Sequence, residues 1–287
     1  MNPKSVRLTL ALVVFLIAHF QFGLVDDKIA FYIFLVVLSV GALWEMGKIF
    51  LKWKLKRTIP EFDLSKLKNP APKFALRAAS ERFSAAAESL YMVTETTGAT
   101  GDCYVNSLEI LNFDDKEAKK ILGYSMESSW DITSGATAML QIDHLLTSAT
   151  EGAHLTLGDV HDNETLQRFR DYLASHQSAA LPQGNEVVTA FDLIRASWLA
   201  RASFSCGHLT ENEAQGYLAT TGMLIQQQFS SWRELAASYL IGYLAWNGGL
   251  DDALSSVMKE YSAKERVLGV NLVLGNEASP IFNRPFS

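Results

Sequence analysis

The residues best suited to chemistry fall in a few short stretches. In "AFDLIRASWLAR", Asp192 and Arg195 stand three residues apart, on one face of any helix they occupy, where they can pair. Arg201 lies on a different face of the same helix, beside Trp198 and Ile194. Upstream, "SWDITS" puts Asp131 directly after Trp130, a place suited to capping the following helix, with its carboxylate accepting backbone N–H groups. Two readings of these charges stand side by side. An ion pair inside a helical bundle usually fixes packing. If Asp131, Asp192, Arg195 and Arg201 instead share one pocket, the arginines can bind an anionic group while an aspartate acts as base.

Other reactive side chains say less. Cys206 precedes His208 by two residues, but neighbours at a helix end need not face each other, and no protease signature surrounds them. Cys103 and Cys206 are far apart in sequence and are expected as free thiols in a cytoplasmic domain. His144, His154 and His161 lack tight zinc spacing, so no metal is expected. No phosphate-cradling or dinucleotide glycine loop is present, and no cofactor is expected. A net charge of −6, with no basic stripe in the cytoplasmic domain, argues against nucleic acid as the partner.

A second candidate surface is aromatic. In "FSSWRELAASYLIGYLAWNGG", Trp232, Tyr239, Tyr243 and Trp246, with Leu235, Ala236 and Gly242, recur at spacings of three and four and so share a helix face. Such a stripe is most often core, with tyrosine hydroxyls and indole N–H groups reaching polar partners at its rim; the sharper reading is a ligand groove lined by aromatics. Membrane insertion is not expected here, because Arg233 and Glu234 open the helix and little chain follows before Asn247 and Gly248.

The elements that carry these residues read as helices from about Phe74 onward. "FALRAASERFSAAAESLYMVTE" repeats apolar residues at three and four, and "DDKEAKKILGY" reads as a short helix stopping at Gly123. "SWDITSGATAMLQIDHLLTSA" and "NEVVTAFDLIRASWLARASFSCG" each read as one helix, the latter closed by Gly207. Thr210 with Glu213, and Ser231 with Glu234, have the spacing of capping boxes. The tail segment "VLGVNLVLG" can also be read as a short strand, and no internal repeat is visible.

The N-terminus has a different character. Leu8–Val25 and Ile29–Trp44 contain no Asp, Glu, Lys or Arg and are joined by "DDK", the pattern of an antiparallel transmembrane hairpin. Lys4 and Arg7 before it, and Lys48, Lys52, Lys54, Lys56 and Arg57 after it, place both termini in the cytoplasm by the positive-inside rule. A cleaved signal peptide is the weaker reading, since no small-x-small cleavage site follows Ile17; a buried soluble hairpin competes because His19 and Gln21 are polar. Residues 58–73, with three prolines, read as an extended linker.

The ordered set "SWDITS", "AFDLIRASWLAR", "GHLTENEA" and "FSSWRELAASYLIGYLAW" resembles the bacterial family catalogued as domain of unknown function 1266, over roughly Gly123 to Gly248. Here the family's "GYLSEEEAW"-like turn reads "GHLTENEAQ", with His208 in place of an aromatic and Gln215 in place of a tryptophan. The resemblance implies a helical protein and brings no activity with it.

The expected architecture is therefore mainly α: a two-span anchor over 1–57, a linker over 58–73, and a compact all-helical or nearly all-helical cytoplasmic domain over 74–287. The expected function is a membrane-tethered module that binds another protein, of an immunity or assembly type, and contacts the bilayer through residues 8–44. The competing expectation is a membrane-anchored enzyme or small-ligand sensor using the Asp/Arg set. Convergence of that set in one cleft separates the two.

Overall fold

The computed structural model describes residues 74–95, 106–110 and 115–286, together with 67–68, 103–104 and the single positions Tyr32, Ser39, Gly41, Met46, Gly47 and Phe50. The chain divides into two units, residues 1–58 and 59–287. The expected spans lie outside the described residues except for Tyr32, Ser39 and Gly41, which are helical. Among the described residues no helix is long and apolar enough to cross a membrane.

The second unit is mainly helical. Among the described residues, the two strands pair in parallel over two residues, β1 (Leu67–Lys68) against β2 (Cys103–Tyr104), beside isolated antiparallel bridges at Ala75–Ser107 and Thr156–Val187. The first helical stretch breaks into α1 (Ala79–Ala87) and α2 (Ser89–Glu95) at Glu88, a fully buried carboxylate. Next comes α3 (Lys116–Trp130), capped by Asp115, whose carboxylate accepts from the Ala118 N–H at 2.9 Å.

Two expectations fail at α3. Gly123 does not end it: the helix continues for two more turns, because Leu122 and Met126 bury their side chains on either side and outweigh the roughly 1 kcal/mol that an interior glycine costs. Asp131 does not cap the following helix. It terminates α3 in the left-handed region at φ 54, its N–H donating to Glu127 O at 3.0 Å. Aspartate is one of the few non-glycine residues that tolerate this conformation. The cap of α4 (Gly135–Glu151) is Ser134, which exchanges bonds with Thr137 in a capping box.

After a 3₁₀ turn at Gly152–His154 come the short α5 (Leu157–Val160) and α6 (Asn163–Ser175). The central helix α7 (Ala190–Cys206) begins five residues later than the sequence suggests. The preceding backbone is engaged elsewhere: Leu157 N–H donates to Glu186 O at 2.8 Å, and Val188 N–H to Leu155 O at 3.2 Å. Gly207 closes α7 at φ 81, as expected. Then α8 (Glu211–Gln228) opens on the expected Thr210/Glu213 box. Ser231 caps α9 (Trp232–Trp246), although the Glu234 carboxylate reaches back to Ser230 rather than to Ser231.

The short α10 (Gly249–Ala253) leads to α11 (Val257–Gly275), which absorbs "VLGVNLVLG". The strand reading of that segment gives way because Ala263, Val267, Val270 and Val273, three and four apart, are all fully buried, a helical and not an alternating period.

Everything is arranged around α7, which is buried on nearly all sides. A helix of that kind belongs at the centre of a core. Its alanines and serines let α3, α4, α8 and α9 approach closely, and α8 in turn lies tight on α1. At the α8–α1 crossing, a Cβ on Gly222 would sit 2.0 Å from Ser80 O. One half of the core draws mainly on α6, α9 and α11, the other mainly on α3 and α4, while α1, α2, α7 and α8 contribute to both. The tail folds back, with Phe286 packed edge-on against Phe83 and Trp232.

Candidate functional site

The four charged residues whose convergence would favour an enzyme or sensor do not share one pocket. Asp131 is exposed at the end of α3. Arg201 is fully buried, and its guanidinium meets Glu88 Oε1 at 2.7 Å, both side chains exposing none of their surface. The arginine also donates to Ser107 O at 3.0 Å and Glu109 O at 3.2 Å, while Ser197 Oγ donates to Glu88 Oε2 at 3.0 Å. Burial pushes the Glu88 carboxyl above its usual range, and Arg201 and Ser197 pull it back. This network ties α1–α2 and the 106–110 segment to α7, with both charged side chains fully buried. It is a packing device.

Asp192 and Arg195 form the expected pair, an ion pair across one turn of α7, with only 25% and 13% of their side chains exposed. The Arg195 guanidinium lies 4.0 Å over the Phe191 ring and 5.4 Å from the Trp130 ring. A planar cation over aromatic faces gains from the ring quadrupole and keeps its edge free for the carboxylate. Phe191 in turn packs against Tyr239, Tyr243 and Trp246, at 5.8, 6.1 and 5.8 Å between ring centres. It can come so close to α9 because that helix has Gly242 there, where a Cβ would stand 2.6 Å from the Phe191 Cβ.

The aromatic stripe of α9 therefore divides. Tyr239 is fully buried, its hydroxyl accepting from Arg266 Nη1 at 3.0 Å, and Tyr243 is buried beneath the Arg266 guanidinium. Trp232 belongs to another region, stacked on Phe83 at 4.7 Å with its indole N–H on Arg284 O at 2.8 Å. Trp246 is different again: 65% exposed, yet seated on buried Phe191. Trp130, Arg195, Phe191 and Trp246 form a connected arginine–aromatic face with Asp192 at its edge.

Asp192 also looks the other way, into a half-open cleft of about 460 Å³ between the end of α4 and the start of α7. Ser148 Oγ donates to Asp192 Oδ2 at 2.9 Å there, and His144, Glu151 and Thr189 share the lining.

The thiol reading of Cys206 gains nothing from the structure, since burial pushes it up to about 11, far from a nucleophilic thiolate. Among the described residues, no group of three histidines, cysteines or acids could hold a metal ion. Sequence reasoning missed Glu88, Phe191, Ser148 and Glu151. Only Glu88 gave a signal, as an acid within the apolar run "AAAESLYMV".

The class defined by this arrangement is a mainly helical domain wound about one buried helix, with a connected arginine–aromatic cluster whose exposed member is Trp246, and a polar cleft at Asp192. Residues 125–286, more than half of the chain, match the model of a family described as "Protein of unknown function (DUF1266)", and the chain belongs to that family. The match extends beyond the resemblance in the motifs, reaching through α11 and into the tail. No curated protein and no solved structure matches the chain.

Proposed function

We propose that this chain is a membrane-tethered helical module that binds another protein, of an immunity or assembly type, through the face formed by Trp246, Phe191, Arg195 and Trp130. The observation that carries the proposal is Trp246. A tryptophan 65% exposed, yet held in place by a buried ring, leaves a large apolar surface in water on a rigid support. Binding interfaces concentrate their energy in such tryptophans and in arginines fixed in geometry, because little conformational freedom is lost on docking. Arg195, stacked and ion-paired, supplies the second anchor.

The tether belongs to the proposal: residues 8–44 would hold the module at the inner membrane with both termini in the cytoplasm. There it would meet its partner at raised local concentration. The test is capture of the partner by the full chain and by Trp246→Ala, with Met223→Ser as an exposed apolar control on α8. Loss of capture in the first variant alone supports the face; equal capture by both variants would refute it.

A further inference from the structure

We infer that the corner of the domain carrying Arg82, Arg284 and Phe282 is a docking surface for the anionic headgroups of a bilayer. The inference rests on the tether in the proposed function and adds the surface that meets the lipid.

Four arginines of the domain each meet a carboxylate: Arg77 pairs with Glu211, Arg168 with Asp251, Arg195 with Asp192 and Arg201 with Glu88. Arg82 and Arg284 do not. Among the described residues their side chains meet only backbone oxygens, Arg82 Nη1 donating to Leu76 O at 3.3 Å and Arg77 O at 2.8 Å, and Arg284 Nη1 to Arg82 O at 2.6 Å. The adjacent carboxylate, Glu81, is buried and accepts instead from the Arg77 N–H at 2.6 Å. Burial and the neighbouring Arg82 charge both push the Arg284 guanidinium below its usual range. Two like charges held together with no carboxylate on either leave a local positive field that an anion relieves.

The corner is held in a fixed shape. The Trp232 indole N–H binds Arg284 O at 2.8 Å, Phe286 packs edge-on against Phe83 and Trp232, and Ile281 is buried. Between those anchors Phe282 remains 40% exposed, two residues before Arg284. An exposed aromatic ring beside unpaired arginines is the combination that settles at a bilayer surface, the ring among the headgroups and the cations against their charge.

Two observations favour a bilayer over a soluble phosphate. A soluble anion has no use for the Phe282 ring. The corner is also where the chain enters the domain, since the Arg82 guanidinium lies on the carbonyls of Leu76 and Arg77, just after the expected linker. Charge then orients the domain. Residues 74–287 carry 14 lysines and arginines against 26 aspartates and glutamates, so the domain as a whole is repelled by an anionic leaflet and turns its uncompensated arginines toward it.

The test uses the full chain in nanodiscs of phosphatidylcholine alone or of phosphatidylcholine with phosphatidylglycerol. With Cys103 and Cys206 replaced by serine, a fluorophore on Asn283→Cys, an exposed position beside Arg284, reports bilayer contact through quenching by a headgroup-nitroxide lipid. Quenching is expected in the anionic discs and not in the neutral ones, and it should fade as salt is added. Each basic charge at such a surface favours the docked state about fivefold, so Arg82→Gln or Arg284→Gln should lower the docked-to-undocked ratio about fivefold and the double variant about thirtyfold. Arg168→Gln, which removes an exposed arginine already paired with Asp251, should leave the ratio unchanged.

Equal quenching in the two lipids, or quenching in anionic discs that the double variant leaves intact, would overturn the inference. Absence of lipid dependence, with inorganic phosphate bound in neutral discs and lost in the double variant, would assign the arginines to a soluble anion and overturn the bilayer as occupant. Alkaline carbonate extraction of membranes keeps this failure apart from failure of the tether. A chain that resists carbonate while its label ignores anionic lipid keeps the tether and loses the docking surface; a chain released by carbonate loses both.

Discussion

Arg201 Nη1 donates to Glu88 Oε1 at 2.7 Å, and neither side chain exposes any surface. The two residues are 113 positions apart, the arginine inside the family-matched region and the glutamate upstream of it. The helices before residue 125 therefore complete the family domain, supplying the carboxylate that meets the buried arginine of its central helix.

Removing either partner alone should be severe. Glu88→Gln or Arg201→Met is expected to cost about 3–5 kcal/mol, because a buried charge loses the counter-ion that meets it. The double variant Glu88→Leu with Arg201→Met should recover most of that loss. Urea unfolding of the three variants checks this, and additive losses in the double variant would count against the pair.

Two glycines on α8 should respond to alanine with opposite signs. Gly222→Ala places a Cβ 2.0 Å from Ser80 O and must push α1 away, at a cost of about 2 kcal/mol or more. Gly216 has nothing within 4 Å of the same added atom, so Gly216→Ala should stabilise by about 0.5–1 kcal/mol through helix propensity. Thermal melts of the two variants separate close helix packing from propensity.

The cap carboxylates set an acid limit. Hydrogen bonds from Thr156 hold Asp159 below its usual range, those from Thr165 hold Asp162, and those from Thr210 hold Glu213. Each folded value lies below the unfolded one, so the contribution is present above the ordinary values of 3.8 for aspartate and 4.5 for glutamate, and is lost as pH falls through the lowered folded values. Glu88, shifted upward mainly by burial, acts with opposite sign: its contribution is complete below 4.5 and declines as pH rises through its folded value. Asp162→Asn keeps the cap acceptor and removes the titration, so the denaturation midpoint should fall less steeply below about pH 4 than in the parent protein. An unchanged slope would remove Asp162 from the account.

Cys206 should be slow to react. With its thiol pushed up to about 11 by burial, the thiolate is scarce at neutral pH. In a Cys103→Ser background, disulfide-exchange labelling at pH 8 should be slow in the native protein and fast in denaturant. Equal rates would show an opening that the fold does not provide.

Much of the fold was legible because it is written locally. The Thr210/Glu213 box, the Gly207 stop and the Asp192–Arg195 pair each depend on residues within four positions of one another. What was not legible depended on distant partners. Arg201 looks like a candidate ligand-binding arginine until Glu88 is seen against it, and Gly123 looks like a stop until Leu122 and Met126 are seen buried. The aromatic stripe shows the same limit: one periodic pattern contains a core tyrosine, a tail-packing tryptophan and an exposed one. Which is which depends on where Phe191, Phe83 and Arg266 lie.

The proposed interaction face is tested most directly by affinity capture from mild-detergent membranes, with the full chain and its Trp246→Ala, Arg195→Ala and Met223→Ser variants compared at equal expression and equal melting temperature. A stoichiometric partner held by the parent and by Met223→Ser, lost with Trp246→Ala and weakened with Arg195→Ala, is the expected result. A partner retained equally by all four, or none retained by the parent, would contradict the proposal.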